Sequence, residues 1–297
     1  MRFLNKYYKF ILEEYNPNKD TRSKPIYVEN EKIVDVMKEK APWYLGCVKD
    51  ITPIYRGIVG HERYKNMKGD RYNNVFTVNP AKHDRHARNT ESYYMDIMNI
   101  SEEWDEYPNR KKSIICTTDW HKAKAYGVPY RVIPFRENSK FGICPSGDVF
   151  NSFEYLFKKL EEVGFDIQNP TNPVIPDFNY LLMNIGFPSD YEELGEEDMH
   201  MIFHNFIHQF EEYEDYWEED WEYNDIIKGF AKKYINGHIH REDLMGMFQE
   251  WIAPDMNGFK LEKYNCSSVI KGNKEVWTDS ECLLILETEF QEILDNI

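Results

Sequence analysis

Three short segments, far apart in the chain, carry the side chains best suited to chemistry. They are Tyr55-Arg56-Gly57, the run Ser113 to Thr118, and Glu275-Val276-Trp277. An arginine is a planar, permanently charged fork that grips phosphate oxygens in pairs, where lysine is a poorer substitute. A carboxylate stabilises positive charge developing on a neighbouring carbon, as at the sugar carbon of a glycosidic bond under cleavage. A hydroxyl can orient a carboxylate by donating to it. Arg56, Thr117 or Thr118, and Glu275 supply one group of each kind. Glu281 is a rival carboxylate, ranked second because it falls at an expected turn, Asp279-Ser280-Glu281. Each residue also has an ordinary use. Arg56 and Glu275 suit an exposed strand, Thr117 and Thr118 suit a helix cap, and Cys116 suits a small buried apolar site.

Other groups carry weaker signals. His200, His204 and His208 recur every fourth residue, a spacing that can present imidazoles to one metal. They equally line the polar border of a helix whose other face is Phe203, Phe206 and Phe210, and no metal is expected. The segment Lys82 to Arg88 is basic and fits either a phosphate-holding loop or plain surface. Between Asp190 and Asp225 there are fifteen Asp or Glu and no Lys or Arg. Within it, Glu211 to Trp221 interleaves carboxylates with aromatic rings, as a solvated helix face does, or as a surface for a basic partner does.

The elements that must position these groups follow from periodicity. Phe3, Leu4, Tyr7, Phe10, Ile11 and Tyr15 predict an amphipathic helix over 2–15, and Ile33 to Met37 a second helix ending near Pro42. Ile54 to Val59 reads as a strand, 62–88 as a long polar loop, and Tyr93 to Met98 as a helix. Ser113 to Cys116 is a strand, followed by a brief helix from Asp119 to Tyr126. Tyr130 to Phe135 is a third strand, and Pro134 places its end near an edge. Helical spacing dominates 150–255. Strand character returns at Val269-Ile270, at Glu275 to Thr278 and at Cys282 to Leu286, the last two drawn as a hairpin turning at Asp279-Ser280. The expected organisation is 1–150 as N-terminal helices and the first part of a core, 151–260 as a helical acidic insertion, and 261–297 as the last strands and a C-terminal helix.

Composition bounds the class. The chain has 297 residues, 15% of them aromatic, which is ample for a packed core. Its net charge of −16 sets it against nucleic-acid backbones and anionic membranes unless a local basic patch intervenes. Five scattered cysteines without a Cys-x-x-Cys pair predict reduced thiols in a cytoplasmic compartment. No apolar run approaches a membrane span, and the first residues lack a signal core.

Taken together, the three segments resemble the ADP-ribosyltransferase superfamily of the Arg–Ser–Glu type, and more closely phage-encoded ADP-ribosyltransferase-like proteins. The middle block carries most of the likeness: Thr117-Thr118, Ala123, Tyr126-Gly127, Tyr130, Val132 and Pro134. The resemblance covers roughly 50–150 and 265–290 and leaves the helical insertion uncovered. It implies an α+β fold of two small, mainly antiparallel sheets packed around a NAD cleft. It implies NAD as substrate, with Arg56 and Gly57 on the dinucleotide, Tyr126 or Tyr130 near nicotinamide, and Thr117, Thr118 and Glu275 at the ribose. The activity implied is mono-ADP-ribosyl transfer to an unknown acceptor, a host protein in the host cytoplasm if the phage likeness holds, or hydrolysis of NAD by water. Cys116 stands where the first Ser of a Ser-Thr-Ser block would lie. Asn273, two before Glu275, stands where arginine-modifying members carry Glu, which turns the expectation away from arginine as acceptor. The alternative from a different class is a non-enzymatic acidic inhibitor that uses 190–225 to occupy a basic partner.

Overall fold

The structure, a computed structural model, describes residues 23–26, 30–58, 74–82, 93–162 and 244–294. The helix expected over 2–15, the residues 83–88 of the basic segment, the histidines at 200, 204 and 208, and the acidic run 190–225 lie outside the described residues.

In chain order the elements are β1 (Ser23–Ile26), α1 (Asn30–Lys40), α2 (Pro42–Leu45), β2 (Tyr55–Ile58) and β3 (Val75–Val78). Then come α3 (Tyr93–Ile100), β4 (Ile114–Thr117), α4 (Trp120–Ala125), β5 (Val128–Pro134) and β6 (Ser139–Ile143). Helices α5 (Glu154–Glu162) and α6 (Leu244–Ile252) precede β7 (Lys260–Tyr264), β8 (Glu275–Thr278), β9 (Cys282–Leu286) and α7 (Glu287–Leu294). The class is α+β.

The chain forms two compact units. One comprises Met1–Asn89, Glu106–Gly147 and Lys260–Ile297; the other comprises Thr90–Asp105 and Asp148–Phe259. The segment 90–105, assigned from sequence to the first part of the core, therefore groups with the second unit. Its aromatic residues explain this. Tyr94 lies 6.1 Å from both Phe150 and Phe153, and Trp104 lies 5.1 Å from Phe259 while its indole N–H donates to the Ile252 carbonyl at 3.2 Å.

All nine strands among the described residues belong to the first unit, in the order β1-β3-β9-β5-β2-β4-β8-β6-β7, with every pairing antiparallel. The joints are unequal. Between β2 and β4 only Tyr55 and Thr117 pair, whereas β2 matches β5 over four residues and β4 matches β8 over four. The ladder thus has a seam near its middle, with five strands on one side and four on the other.

Because β4 and β5 both run antiparallel to β2, they run parallel to each other, and the chain between them must cross over β2. Helix α4 makes that crossing. Asp119 caps its start, accepting from the backbone N–H groups of His121 at 2.8 Å and Lys122 at 3.3 Å. Gly127, at φ 142°, ends it in a conformation open to glycine.

Four expectations need correction. Residues 75–78, read as polar loop, form β3, because Val75 and Phe76 are buried between β1 and β9. Val269-Ile270 is not a strand; Val269 is 62% exposed and the Ile270 N–H donates to the Thr52 hydroxyl at 2.9 Å. Strand β5 is interior, with Pro134 tolerated because it is the last residue. Strands β8 and β9 are adjacent in sequence but do not pair. Each is buried along its whole length and takes two other neighbours, so the turn at 279–281 hands the chain across the seam.

The cysteine expectation also fails for one pair. Cys47 and Cys266, separated by 219 residues, form a disulfide. It links the end of α2 to the turn after β7, a proximity that no sequence spacing announces. Cys116, Cys144 and Cys282 are buried thiols.

The pair Arg131–Glu287 is enclosed in this unit. Arg131 on β5 donates to Glu287 on α7 through Nε at 2.9 Å and through a terminal nitrogen at 2.5 Å. The guanidinium also lies over the rings of Tyr55, at 5.0 Å, and Phe290, at 4.6 Å. Burial alone would pull the Arg131 guanidinium down, but its bonds to Glu287 and the neighbouring Tyr44 push it up on balance. This pair fixes α7 to the sheet. Among the described residues no helix is long and apolar enough to cross a membrane.

Candidate functional site

The three strands that carry the motif residues are neighbours, β2-β4-β8. Their registers align Tyr55 with Thr117 and Thr117 with Glu275. Residues paired across an antiparallel ladder share a face, so Tyr55, Thr117 and Glu275 form one lateral row. The Thr117 position, not Cys116, is the one opposite Glu275, since Cys116 pairs with Val276.

Glu275 opens β8 and is 9% exposed. Its backbone is bracketed by the residues after β6: its N–H donates to Ser146 at 3.1 Å and its carbonyl accepts from Cys144 at 2.9 Å. Its carboxylate Oε1 accepts from the Arg110 guanidinium, and the Cys144 thiol lies 3.9 Å from the same oxygen. Arg110 had no motif to mark it. It sits 165 positions from Glu275 in a short turn capped by Asn109, whose side chain accepts from the Lys111 and Lys112 N–H groups. The only local signal is a basic run behind Pro108-Asn109.

A second layer holds Arg110 in place. The guanidinium lies 5.0 Å from the centre of the Trp277 ring. Trp277 donates to the Pro108 carbonyl at 2.8 Å, and Tyr107 stacks on it at 6.2 Å. Beneath the indole is Gly142, where any Cβ would collide with the ring. Glu275 and Trp277, two residues apart on β8, therefore point to the same face and share Arg110.

Arg56 lies at the seam. Strand alternation sends it from the face opposite Tyr55, and its guanidinium donates to the Ile115 carbonyl of β4 at 2.7 Å. Past the single Tyr55–Thr117 pair the two strands no longer match, and this side chain bridges between them. Gly57 has a steric role. A Cβ there would strike the Ala123 carbonyl and come within 2.9 Å of the Tyr126 Cβ. Its absence lets α4 lie directly on β2. Tyr126 sits over Gly57 and is 41% exposed.

The remaining predicted residues separate. Thr118 is occupied as a clamp: its hydroxyl donates to the Gly272 carbonyl at 2.9 Å and accepts from the Lys274 N–H at 2.8 Å. It thereby fixes the turn that delivers Glu275. The Thr117 hydroxyl accepts from the Asp119 N–H at 3.0 Å, so it also starts α4. Tyr130 is fully buried, edge-on to Phe76 at 5.2 Å, and offers no ring face to a ligand. Glu281 lies beyond the other end of β8, exposed and accepting from Asn79 at 2.5 Å, and does not join the row.

Burial pushes the Cys116 thiol up to about 12, with Arg56 pulling it down and Glu275 pushing it up. Such a thiol is no nucleophile. Among the described residues no group of three or more His, Cys, Asp or Glu could hold a metal ion.

Comparisons of the chain with protein-family models, with curated proteins and with solved structures returned no match.

Proposed function

We propose that the strand-bearing unit cleaves NAD at its nicotinamide–ribose bond and transfers ADP-ribose to a macromolecular acceptor. The observation that carries this is the row Tyr55–Thr117–Glu275 across three adjacent strands; Arg56 leaves the seam next to it from the other face of β2. A guanidinium, a hydroxyl and a buried carboxylate then lie within neighbouring strands, which is the set that the sequence resemblance calls for.

In this proposal the seam between β2 and β4 opens onto a NAD cleft, with strands on either side acting as its two walls. Arg56 exchanges its carbonyl partner for the dinucleotide phosphates. Tyr126, exposed above Gly57, gives nicotinamide a ring to stack on. The glycosidic C–N bond breaks with its electron pair leaving on nicotinamide. The ribose carbon is left as an oxocarbenium ion beside Glu275. An acceptor nucleophile then bonds to that carbon and loses its proton, and water in its place gives hydrolysis. A host protein as acceptor, in the host cytoplasm, follows from the phage likeness.

Incubation with NAD labelled in the adenylate moiety, with and without a cell lysate, tests this. Transfer predicts free nicotinamide together with label on macromolecules. Hydrolysis predicts nicotinamide with free ADP-ribose. Absence of nicotinamide release under both conditions would sink the proposal and leave the acidic-inhibitor alternative.

A further inference from the structure

We infer that Arg110 is the positioning residue for Glu275, holding its carboxylate in the orientation that faces the ribose; this rests on the NAD-cleaving role proposed above. Three observations converge on Arg110. Its side chain is 3% exposed and ion-paired to Glu275 Oε1. Its guanidinium is seated on the Trp277 ring at 5.0 Å. Trp277 is itself pinned by the Pro108 carbonyl, the Tyr107 ring and the absence of a side chain at Gly142.

A glutamate has three rotatable side-chain bonds, and at a strand start its carboxylate would otherwise sample several rotamers. A buried charge-assisted contact removes that freedom. The segment 107–113 runs directly into β4 and hence into Thr117, so the same stretch of chain that places the hydroxyl also places the guanidinium. Arg110 touches no reacting atom in this arrangement. It acts on the reaction through Glu275.

A purely structural ion pair would affect stability and leave the turnover of folded protein intact. A positioning residue changes turnover and does so only when Glu275 is present. The test measures nicotinamide release by the full chain for wild type, Arg110→Gln, Arg110→Lys, Glu275→Gln and the double variant Arg110→Gln/Glu275→Gln, each checked for folding by circular dichroism. Misplacing a reacting group by about 1 Å costs about 100-fold in rate. Arg110→Gln should therefore lower kcat by about 100-fold with the KM for NAD changed by less than about twofold. Arg110→Lys keeps the charge and loses the fork, and should fall between; it stands in for the glutamine variant should that one fail to fold.

In the Glu275→Gln background, Arg110→Gln should add less than about a twofold further loss. Arg110 variants that turn over at the wild-type rate while Glu275→Gln is dead would overturn the inference and leave the proposed function standing. Losses that multiply in the double variant would also overturn it, since Arg110 would then act independently. A fully active Glu275→Gln would instead remove the carboxylate assignment, and the positioning role with it.

Discussion

Thr117 and Glu275 face each other across the β4–β8 ladder, although 157 positions of sequence, from 118 to 274, lie between them. The pairing explains why a short hydroxyl-bearing strand end and a late Glu-Val strand need each other. Each contributes one group, and only the register brings the two to one row. It also explains Thr118, whose hydroxyl ties the 272–274 turn so that β8 starts at Glu275.

The first prediction concerns that carboxylate. Glu275→Gln keeps the shape and leaves an oxygen to accept from Arg110, so the fold should persist. The negative charge beside the ribose is lost. Nicotinamide release should fall by about 10²- to 10³-fold, the usual loss when one transition-state contact is removed. An assay by liquid chromatography of nicotinamide, with circular dichroism as a folding control, measures both. Wild-type turnover by the folded variant would exclude Glu275 from the chemistry.

Gly57→Ala should damage the molecule where α4 crosses β2. The new Cβ meets the Ala123 carbonyl, which is backbone and cannot swing aside. Overpacking of this kind costs about 1–3 kcal/mol. Urea titration should show that loss, and Tyr126 should shift with the helix. Unchanged stability would mean that α4 does not lie on β2 as described.

Much of the candidate site was legible in the chain because it sits on strongly patterned strands. Val276 and Trp277 in β8, and Ile114 and Ile115 in β4, are β-branched or aromatic and read as strands on their own. Helix α4 follows β4 where the sequence places it, but Asp119, not Thr117 or Thr118, caps its start. Partnership was not legible. Burial on both faces makes β8 and β9 look alike, and adjacency in sequence suggested a hairpin where the seam separates them. Arg110 escaped because its cue is tertiary, a ring beneath it and a carboxylate beside it. Tyr130 is expected near a ligand because aromatic rings serve cores and clefts equally, and only its packing on Phe76 places it in the core. Strand β7, Lys260 to Tyr264, carries alternating charges and gives little hydrophobic signal at the sheet's edge.

The Arg131–Glu287 pair offers a test of what holds α7 to the sheet. Both side chains are almost wholly enclosed, at 4% and 6% exposure. Arg131→Met alone strands a buried carboxylate and should cost about 3–5 kcal/mol. The double variant Arg131→Met/Glu287→Leu removes both charges and should recover most of that loss. Denaturant titration of the two singles and the double gives the coupling directly. Additive losses would show that the two groups do not interact in the folded protein.

The Cys47–Cys266 disulfide closes a loop of 219 residues. Constraining an unfolded chain over that length stabilises the fold by up to about 5 kcal/mol. Reductant, or Cys47→Ser, should lower the urea midpoint accordingly. Mass spectrometry after alkylation of unreduced, unfolded protein should find three modified cysteines, Cys116, Cys144 and Cys282, and two protected. Five modified cysteines would mean that the bond does not form in solution.

Cys116 predicts a pH dependence in the alkaline range. Its thiol titrates near 9 when unfolded and is pushed up to about 12 by burial in the native state. Between these values the native protein keeps a proton that the unfolded chain has lost, so stability falls as pH rises. The contribution is fully present below about 9 and is gone above about 12. Over that span it amounts to at most about 4 kcal/mol. Cys116→Val removes this dependence while filling similar space. Wild type should therefore lose more stability than the variant when urea unfolding is followed through that window. The native thiol should also resist iodoacetamide at neutral pH and react once urea unfolds the chain. Parallel pH profiles for the two proteins, or rapid native alkylation, would place the Cys116 sulfur in water and open the strand pair that encloses it.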